Sequence, residues 1–127
     1  MTDFVKTYGV THVHLFVQDA ERAATFYREV FGCVEVLREE FATERLIFVN
    51  TPGSKDLITL HERNGQPASA SGTHFGFRLV MPDVDAAAEK VLASGGSIRN
   101  RGQHAPAQPF LNATDPDGND FQLWYEE

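Results

Sequence analysis

Cysteine is almost absent from this chain, which has one, Cys33, among 127 residues and therefore no internal disulfide. A secreted protein would be an unusual place for a lone thiol, whereas the reducing cytoplasm is an ordinary one. No apolar run approaches the roughly 20 residues that a membrane span needs, and residues 1–6 lack the apolar core of a signal peptide. We therefore expect a cytoplasmic protein in which Cys33 is a small buried packing residue.

Positive charge is also scarce, with 11 basic residues against 18 acidic ones, a net charge of −7 and no basic run. This balance argues against nucleic acid and against an anionic membrane as partners. The composition is otherwise that of a globular protein, with 42% hydrophobic residues and ten phenylalanines. A chain of this length suits a single domain, here residues 1–127.

The pattern of the first half of the chain returns in the second half. Thr11-His12 reappears as Thr73-His74, and the helix that should begin after Asp19 has a counterpart after Asp83. Segment 64–72, rich in Gly, Ser, Ala and Pro, reads as a linker between modules at about 8–63 and 73–127. The expected elements are strands 10–17, 33–37, 45–50, 56–62, 73–80, 97–100, 110–113 and 120–124, and helices from Asp19 to Gly32 and over 84–94.

Each half is thus β-α-β-β-β, and the duplication predicts an α+β fold built from two tandem βαβββ modules. Neither module can bury a sheet face alone. We expect two four-stranded sheets, rich in antiparallel pairs, that lie side by side with the helices outside and enclose a cleft.

The end of the chain combines a turn with a strand. Asp-Pro-Asp-Gly at 115–118 has the residues that a tight turn requires, and the alternation that follows is that of a half-buried strand. The turn fixes the direction of the side chains after it, so Gln122 should point into the cleft.

Histidine is concentrated on the faces that should line this cleft. The face turned away from the helices is expected to carry His12, His14, Phe16, Phe48, Thr59, His61, His74, Arg78, Gln122 and Trp124. Neutral imidazole is a common ligand for divalent metals, although a histidine on a strand can also be a satisfied polar residue. Arg78 either binds an anionic group or forms a structural ion pair. Segment 102–108 reads as a loop that leaves His104 in solvent.

The sequence resembles the vicinal oxygen chelate superfamily of glyoxalases, bleomycin- and fosfomycin-resistance proteins and extradiol dioxygenases. The resemblance rests on Thr-His-Val-His-Leu-Phe-Val-Gln-Asp at 11–19, on Phe26-Tyr27 and Phe31-Gly32, and on Asp-Pro-Asp-Gly-Asn at 115–119. It implies a divalent metal, Zn, Ni, Mn or Fe, held by His12, His74 and the residue at 122. It also implies a homodimer, because paired modules complete such a cleft across a two-fold interface.

Two positions depart from the family pattern. Gln122 stands where the family's metal-binding members carry glutamate, and Thr59 stands where glyoxalase-I-like members carry another. A site without these carboxylates disfavours both extradiol cleavage and glyoxalase I chemistry, which needs a carboxylate base.

Two functions are compatible with this pattern. In the first, His12 and His74 bind the metal with Gln122, or with His61, and the metal polarises a small substrate that carries adjacent oxygens, as a lyase, isomerase or oxygenase would. The catalytic candidates are then His14, His61 and Arg78, and the substrate-binding candidates are Phe16, Phe48, Arg78 and Trp124. In the second, the chain is a metal-free drug- or toxin-binding protein similar to bleomycin-resistance proteins, with an apolar cleft.

Overall fold

The computed structural model describes residues 4–6, 8, 10, 12–64 and 74–126. The elements, in chain order, are β1 (His12–Val17), α1 (Ala20–Phe31), β2 (Val34–Glu40), β3 (Glu44–Asn50), β4 (Leu57–Arg63), β5 (His74–Arg78), α2 (Val84–Ala93), β6 (Ser97–Ala105), β7 (Gln108–Thr114) and β8 (Asp120–Trp124). Thr11, Thr73 and most of the expected linker, 65–72, lie outside the described residues. Neither helix in the described part of the chain has the length and apolar character needed to cross a membrane.

Helix α1 begins and ends where its sequence signals stand. The side chain of Asp19 accepts hydrogen bonds from the backbone N–H groups of Glu21 and Arg22, which the first helical turn leaves without partners. Gly32 ends the helix in the left-handed conformation, with φ of 72°, which costs glycine nothing. Helix α2 begins in the same way after Asp83 and ends at Ser94.

The strands form two four-stranded sheets with equivalent topology. Sheet A has the order β1-β4-β3-β2, and sheet B has the order β5-β8-β7-β6. The pairs β1/β4 and β5/β8 are parallel and the other neighbours are antiparallel. This arrangement confirms the expected α+β fold of two βαβββ modules.

One hydrophobic core serves both modules. It contains the buried alternate residues of both sheets together with the inner faces of α1 and α2. Aromatic rings cross from one module to the other: Phe31 stacks on Phe77 with 4.1 Å between ring centroids, and Phe26 meets Phe121. Cys33 belongs to the same core, where burial raises the pKa of its thiol to about 11. It is a packing residue, as expected.

The turn at 115–119 joins the modules through polar contacts. The Tyr27 hydroxyl, on α1, donates a 2.8 Å hydrogen bond to Asp115 Oδ2. Asp117 Oδ1 accepts hydrogen bonds from the backbone N–H of Gln18 and from the guanidinium of Arg22. The turn therefore positions β8 relative to the first module as well as within its own.

The expected loop over 102–108 is wrong. β6 continues to Ala105 and β7 begins at Gln108, so a two-residue turn that includes Ala107, with φ of 65°, joins them. The cause is cross-strand pairing, in which Arg101 faces Leu111 and Gly102 faces Phe110. This pairing satisfies backbone groups of a segment whose Gly102, Pro106 and polar residues favoured a loop. His104 consequently lies on a strand.

Candidate functional site

Sheet A turns one polar face away from the core. Along β1, His12 and His14 are exposed and Phe16 is half-buried on this face, while Leu15 and Val17 point into the core. The register with β4 places His14 opposite Thr59 and Phe16 opposite His61. We call this surface the open face of sheet A. Phe48 of β3 also lies on it, where it pairs with Thr59 of β4.

Three side chains on the open face of sheet A form a hydrogen-bonded chain. His14 Nε2 lies 2.9 Å from His61 Nδ1, and His61 Nε2 lies 2.9 Å from Glu44 Oε1. Because a carboxylate only accepts, His61 in its neutral form carries its proton on Nε2, and its Nδ1 then accepts from the Nε2–H of neutral His14. The lone pair of His14 is then on Nδ1.

Glu44 is the residue that sequence reasoning missed here. The strand expected over 45–50 left Glu44 out, whereas β3 starts at Glu44 itself. Residues of a strand that are two apart share a face, so counting back from Phe48 would have placed Glu44 on the same face. Its partner His61, however, follows only from the register of β3 on β4.

Charge and burial both act on His14. Burial first, and then the neighbouring His61, His12 and Arg63, lower the pKa of His14 and favour its neutral form. The guanidinium of Arg63 lies over the Phe16 ring at 4.2 Å from its centroid. Below these rings, the buried Thr59 hydroxyl has no hydrogen-bond partner among the described residues.

Sheet B presents an equivalent open face. His74, Gly76 and Arg78 are exposed on β5, and Gly76 lies opposite Gln122 as His14 lies opposite Thr59. Thr59 and Gln122, the two positions that depart from the family pattern, are thus equivalent in the two modules.

Gln122 is held in a row of amides that crosses sheet B. Its Nε2 donates to Asn112 Oδ1 at 3.0 Å, and Asn112 Nδ2 donates to Asn100 Oδ1 at 2.8 Å. The Oε1 atom of Gln122 lies 3.3 Å from His104 Nε2. His104 was expected in solvent; it is exposed, but β6 brings it beside Gln122, where it stacks on Phe110.

Arg78 and Trp124 lie together on the open face of sheet B. The guanidinium is 5.7 Å from the centroid of the Trp124 ring, and Nη2 donates to the backbone oxygen of Glu126 at 3.3 Å. The Glu126 carboxylate is 3.9 Å away, and more than half of the Arg78 side chain is exposed. The arginine can therefore still meet an anion.

The three residues expected to bind metal are divided between the sheets, with His12 on sheet A and both His74 and Gln122 on sheet B. The described residues contain no group of three or more His, Cys, Asp or Glu side chains arranged to hold a metal ion. The three side chains nevertheless offer donor atoms that suit a divalent ion, namely two imidazole nitrogens and one amide oxygen. The amide oxygen of Gln122 points outward because the amide nitrogen donates to Asn112.

A pocket of about 470 Å³ lies between the modules. It is lined by Val10, His12, Val13, residues 51–54, Asp56, Leu57, Ile58 and the β5 residues Phe75 to Arg78. His12 and Arg78 are thus brought to one pocket. The described residues that line this pocket do not include Phe16, Phe48, His74, Gln122 or Trp124.

A sequence model of the Glyoxalase/Bleomycin resistance protein/Dioxygenase superfamily matches residues 9–123. Among curated proteins, none matches the chain significantly.

Solved structures of similar fold cover nearly the whole chain. A glyoxylase/bleomycin resistance protein/dioxygenase domain from Frankia sp. EAN1pec is 22% identical with a TM-score of 0.78, covering 96% of this chain and 100% of its own. The fosfomycin resistance protein FosX from Mesorhizobium loti is 25% identical with a TM-score of 0.72, covering 93% and 91%. FosX from Listeria monocytogenes, complexed with Mn(II) and sulfate, is 18% identical with a TM-score of 0.76, covering 96% and 95%.

Proposed function

Because the chain belongs to the Glyoxalase/Bleomycin resistance protein/Dioxygenase superfamily, we propose that it is a metal-dependent enzyme that moves a proton on a small, oxygen-rich anion. The observation that carries this proposal is the hydrogen-bonded chain from Glu44 through His61 to His14, on the same face as His12. We expect the enzyme to act in the cytoplasm.

The metal ligands in this proposal are His12, His74 and Gln122. Their nitrogen and oxygen donors suit Zn²⁺, Ni²⁺, Mn²⁺ or Fe²⁺. A divalent ion held by them would polarise a substrate that offers two neighbouring oxygens. Gln122 contributes no charge, so the bound ion keeps more of its positive charge than a glutamate would leave it.

We propose that the site is completed in a homodimer. The open faces of both sheets point away from a single core that contains residues of both modules. If the open face of sheet B in one chain covers the open face of sheet A in its partner, His12 of one chain meets His74 and Gln122 of the other. The two-fold symmetry of such a dimer produces two equal sites.

The base in this reaction is His14, which would accept a substrate proton on Nδ1 and return it to a neighbouring atom of the substrate. Its Nε2–H then faces His61 Nδ1, and the Nε2–H of His61 faces the Glu44 carboxylate. A positive charge that forms on His14 is therefore shared along a chain that ends in an anion. This arrangement supplies the carboxylate-backed base that positions 59 and 122 lack.

The substrate class follows from the charged and aromatic groups around these residues. Arg63 over Phe16 and Arg78 beside Trp124 place guanidinium groups on the two open faces, where they would bind a carboxylate, phosphate or phosphonate group. Phe16, Phe48 and Trp124 would form the walls around the rest of a small molecule.

Related structures offer a suitable probe for this test. A glutamate-to-glutamine variant of Listeria FosX, 18% identical to this chain, is complexed with Mn(II) and 1S,2S-dihydroxypropylphosphonic acid, an anion with neighbouring oxygens. Calorimetry should show that this compound binds the metal-loaded protein and binds the metal-free protein at least roughly tenfold more weakly. Arg78→Ala should weaken binding, whereas Arg28→Ala, on the exposed side of α1, should not. Equal affinity with and without metal would contradict the proposal.

The proton relay can be tested without a substrate. Long-range ¹H–¹⁵N correlation spectra should show His61 protonated on Nε2, because Glu44 accepts from that atom. Glu44→Ala should redistribute the proton of His61 between its two nitrogens, whereas Glu39→Ala, on the neighbouring strand, should leave it in place. If His61 is protonated on Nδ1 in the unaltered protein, the relay as described does not exist.

The pocket between the modules favours a second function, metal-free binding of a small molecule. Its volume of about 470 Å³ and its apolar lining, which includes Val13, Leu57, Ile58 and Phe75, suit a drug-sized ligand. Under this alternative, a chelator would leave ligand affinity unchanged and His74→Ala would have no effect. Dependence of ligand binding on the metal distinguishes the two.

A further inference from the structure

His104 is held in a fixed position above sheet B by its neighbours. Its ring stacks on Phe110 with 4.6 Å between centroids and 30° between planes. Phe110 in turn lies against Gly102 so closely that a Cβ atom added there would approach the phenyl ring to 2.6 Å. The absence of a side chain at Gly102 therefore allows Phe110 to lie flat and to support the imidazole.

The amide row fixes which atom of Gln122 faces this imidazole. The Nε2 atom of Gln122 is occupied as a donor to Asn112, and Asn112 is oriented by its own donation to Asn100. The carbonyl oxygen of Gln122 is left facing His104 Nε2. Two atoms that can both donate an electron pair to a cation are thus placed side by side.

The separation of these two atoms is informative. At 3.3 Å it is longer than the roughly 2.7–3.2 Å of an ordinary N–H···O hydrogen bond. Two ligands of one ion, each about 2.1 Å from it and at 90–109° to one another, are about 3.0–3.4 Å apart. The distance suits two ligands of a common ion as well as it suits a long hydrogen bond.

We propose that His104 is a further metal ligand, which binds through Nε2 the ion that Gln122 binds through Oε1. This inference rests on the proposed function, because it concerns the same ion as His12 and His74. A third imidazole supplies the affinity that a glutamate at position 122 would have given. Three imidazoles with one neutral oxygen also favour Zn²⁺, Ni²⁺ and Co²⁺ over Mn²⁺ and Mg²⁺.

The test compares Zn²⁺ affinity in four full-length proteins: the unaltered chain, His104→Ala, His74→Ala and Gln103→Ala. Gln103 is the matched control, because it is the exposed neighbour of His104 on the same strand. We expect His104→Ala and His74→Ala each to weaken Zn²⁺ binding roughly tenfold or more, and Gln103→Ala to leave it unchanged. Pulsed EPR of the Cu²⁺-loaded proteins should count one imidazole fewer in His104→Ala than in Gln103→Ala.

The outcomes separate the inference from the function on which it rests. If His74→Ala weakens binding while His104→Ala behaves like Gln103→Ala, the inference is overturned and the proposed function stands. An unchanged imidazole count in His104→Ala overturns it too, since His104 would then act only by positioning Gln122. If the unaltered protein binds none of Zn²⁺, Ni²⁺, Mn²⁺ and Fe²⁺, the proposed function itself fails.

Discussion

At the scale of single residues, the proposed chemistry depends on Gln122, a glutamine where a carboxylate is expected. In the proposed site Gln122 would offer the metal an oxygen without a charge. Its donation to Asn112 leaves the oxygen of the amide, and not the nitrogen, pointing outward. The structure shows a carboxylate elsewhere on the open faces, since Glu44 is hydrogen-bonded to His61 on the other sheet. In the proposed enzyme, the carboxylate therefore supports the base and is not one of the metal ligands.

Gln122→Glu tests this division. The new carboxylate should raise Zn²⁺ affinity roughly tenfold or more, because it adds a full charge to the ligand set. Asn112 and Asn100 can both rotate their amides, so that Asn112 donates to the new carboxylate and accepts from Asn100, and the sheet should tolerate the change. Calorimetry measures the effect, and Gln103→Glu controls for the change in net charge. Equal affinities for Gln122→Glu and the unaltered protein would place the metal elsewhere.

At the scale of elements, the turn at 115–119 connects the two modules through hydrogen bonds. Tyr27 and Asp115 are both buried, and their hydrogen bond links α1 to the turn that begins β8. Burial, with the nearby Asp115 carboxylate as the next cause, raises the pKa of Tyr27 well above its usual value. The hydroxyl therefore stays protonated and remains a donor.

Tyr27→Phe should lower the free energy of unfolding by about 1–3 kcal/mol, because it leaves a buried acceptor of Asp115 with one donor fewer. Chemical denaturation measures this difference. Tyr8→Phe is the control, since Tyr8 is fully exposed and its hydroxyl is hydrated whether or not the chain is folded. Equal losses in the two variants would show that the hydrogen bond between the modules adds nothing.

The Asp115 carboxyl also predicts a dependence of stability on pH. Burial is the largest cause and raises the pKa of Asp115, while hydrogen bonds from Asn119, Tyr27 and Asp117 oppose the shift. Since the pKa is higher in the folded chain, the stability that this group contributes is present below its unfolded pKa of about 3.9. That contribution is lost as the pH rises through the folded pKa.

Asp115→Asn should remove this dependence. Asn119 Oδ1, buried without a partner among the described residues, can accept from the new amide after rotation of the Asn119 side chain. Denaturation series from pH 4 upward should show that the stability of the unaltered protein falls, relative to that of Asp115→Asn, as the pH rises. If the stabilities of the two proteins change with pH in parallel, the raised pKa of Asp115 is contradicted.

The elements themselves could largely be predicted from the sequence. Asp19 and Gly32 determine the ends of α1, and alternation determines which β1 residues face outward, because these signals are local. The partners of Glu44 and His104 could not be predicted, since each depends on the register between strands. The register places Glu44 beside a residue of β4, and the β6–β7 hairpin brings His104 beside Gln122.

At the scale of the whole molecule, the two modules are equivalent in topology and different in chemistry. Sheet A carries the proposed base and one proposed metal ligand, and sheet B carries the other proposed ligands. One core behind both sheets fixes them as a unit. In the proposed homodimer each site takes one sheet from each chain, so neither chain alone is complete.

The most direct test of this account mixes two defective chains. At a Zn²⁺ concentration that just saturates the unaltered protein, His12→Ala and His74→Ala should each bind far less in equilibrium dialysis, because every site then lacks a ligand. When the two variants are unfolded and refolded together, half of the dimers should be mixed and each should contain one intact site, so Zn²⁺ should return to about a quarter of the sites. If the mixture binds no more Zn²⁺ than the separate variants, the site is not shared between chains as proposed.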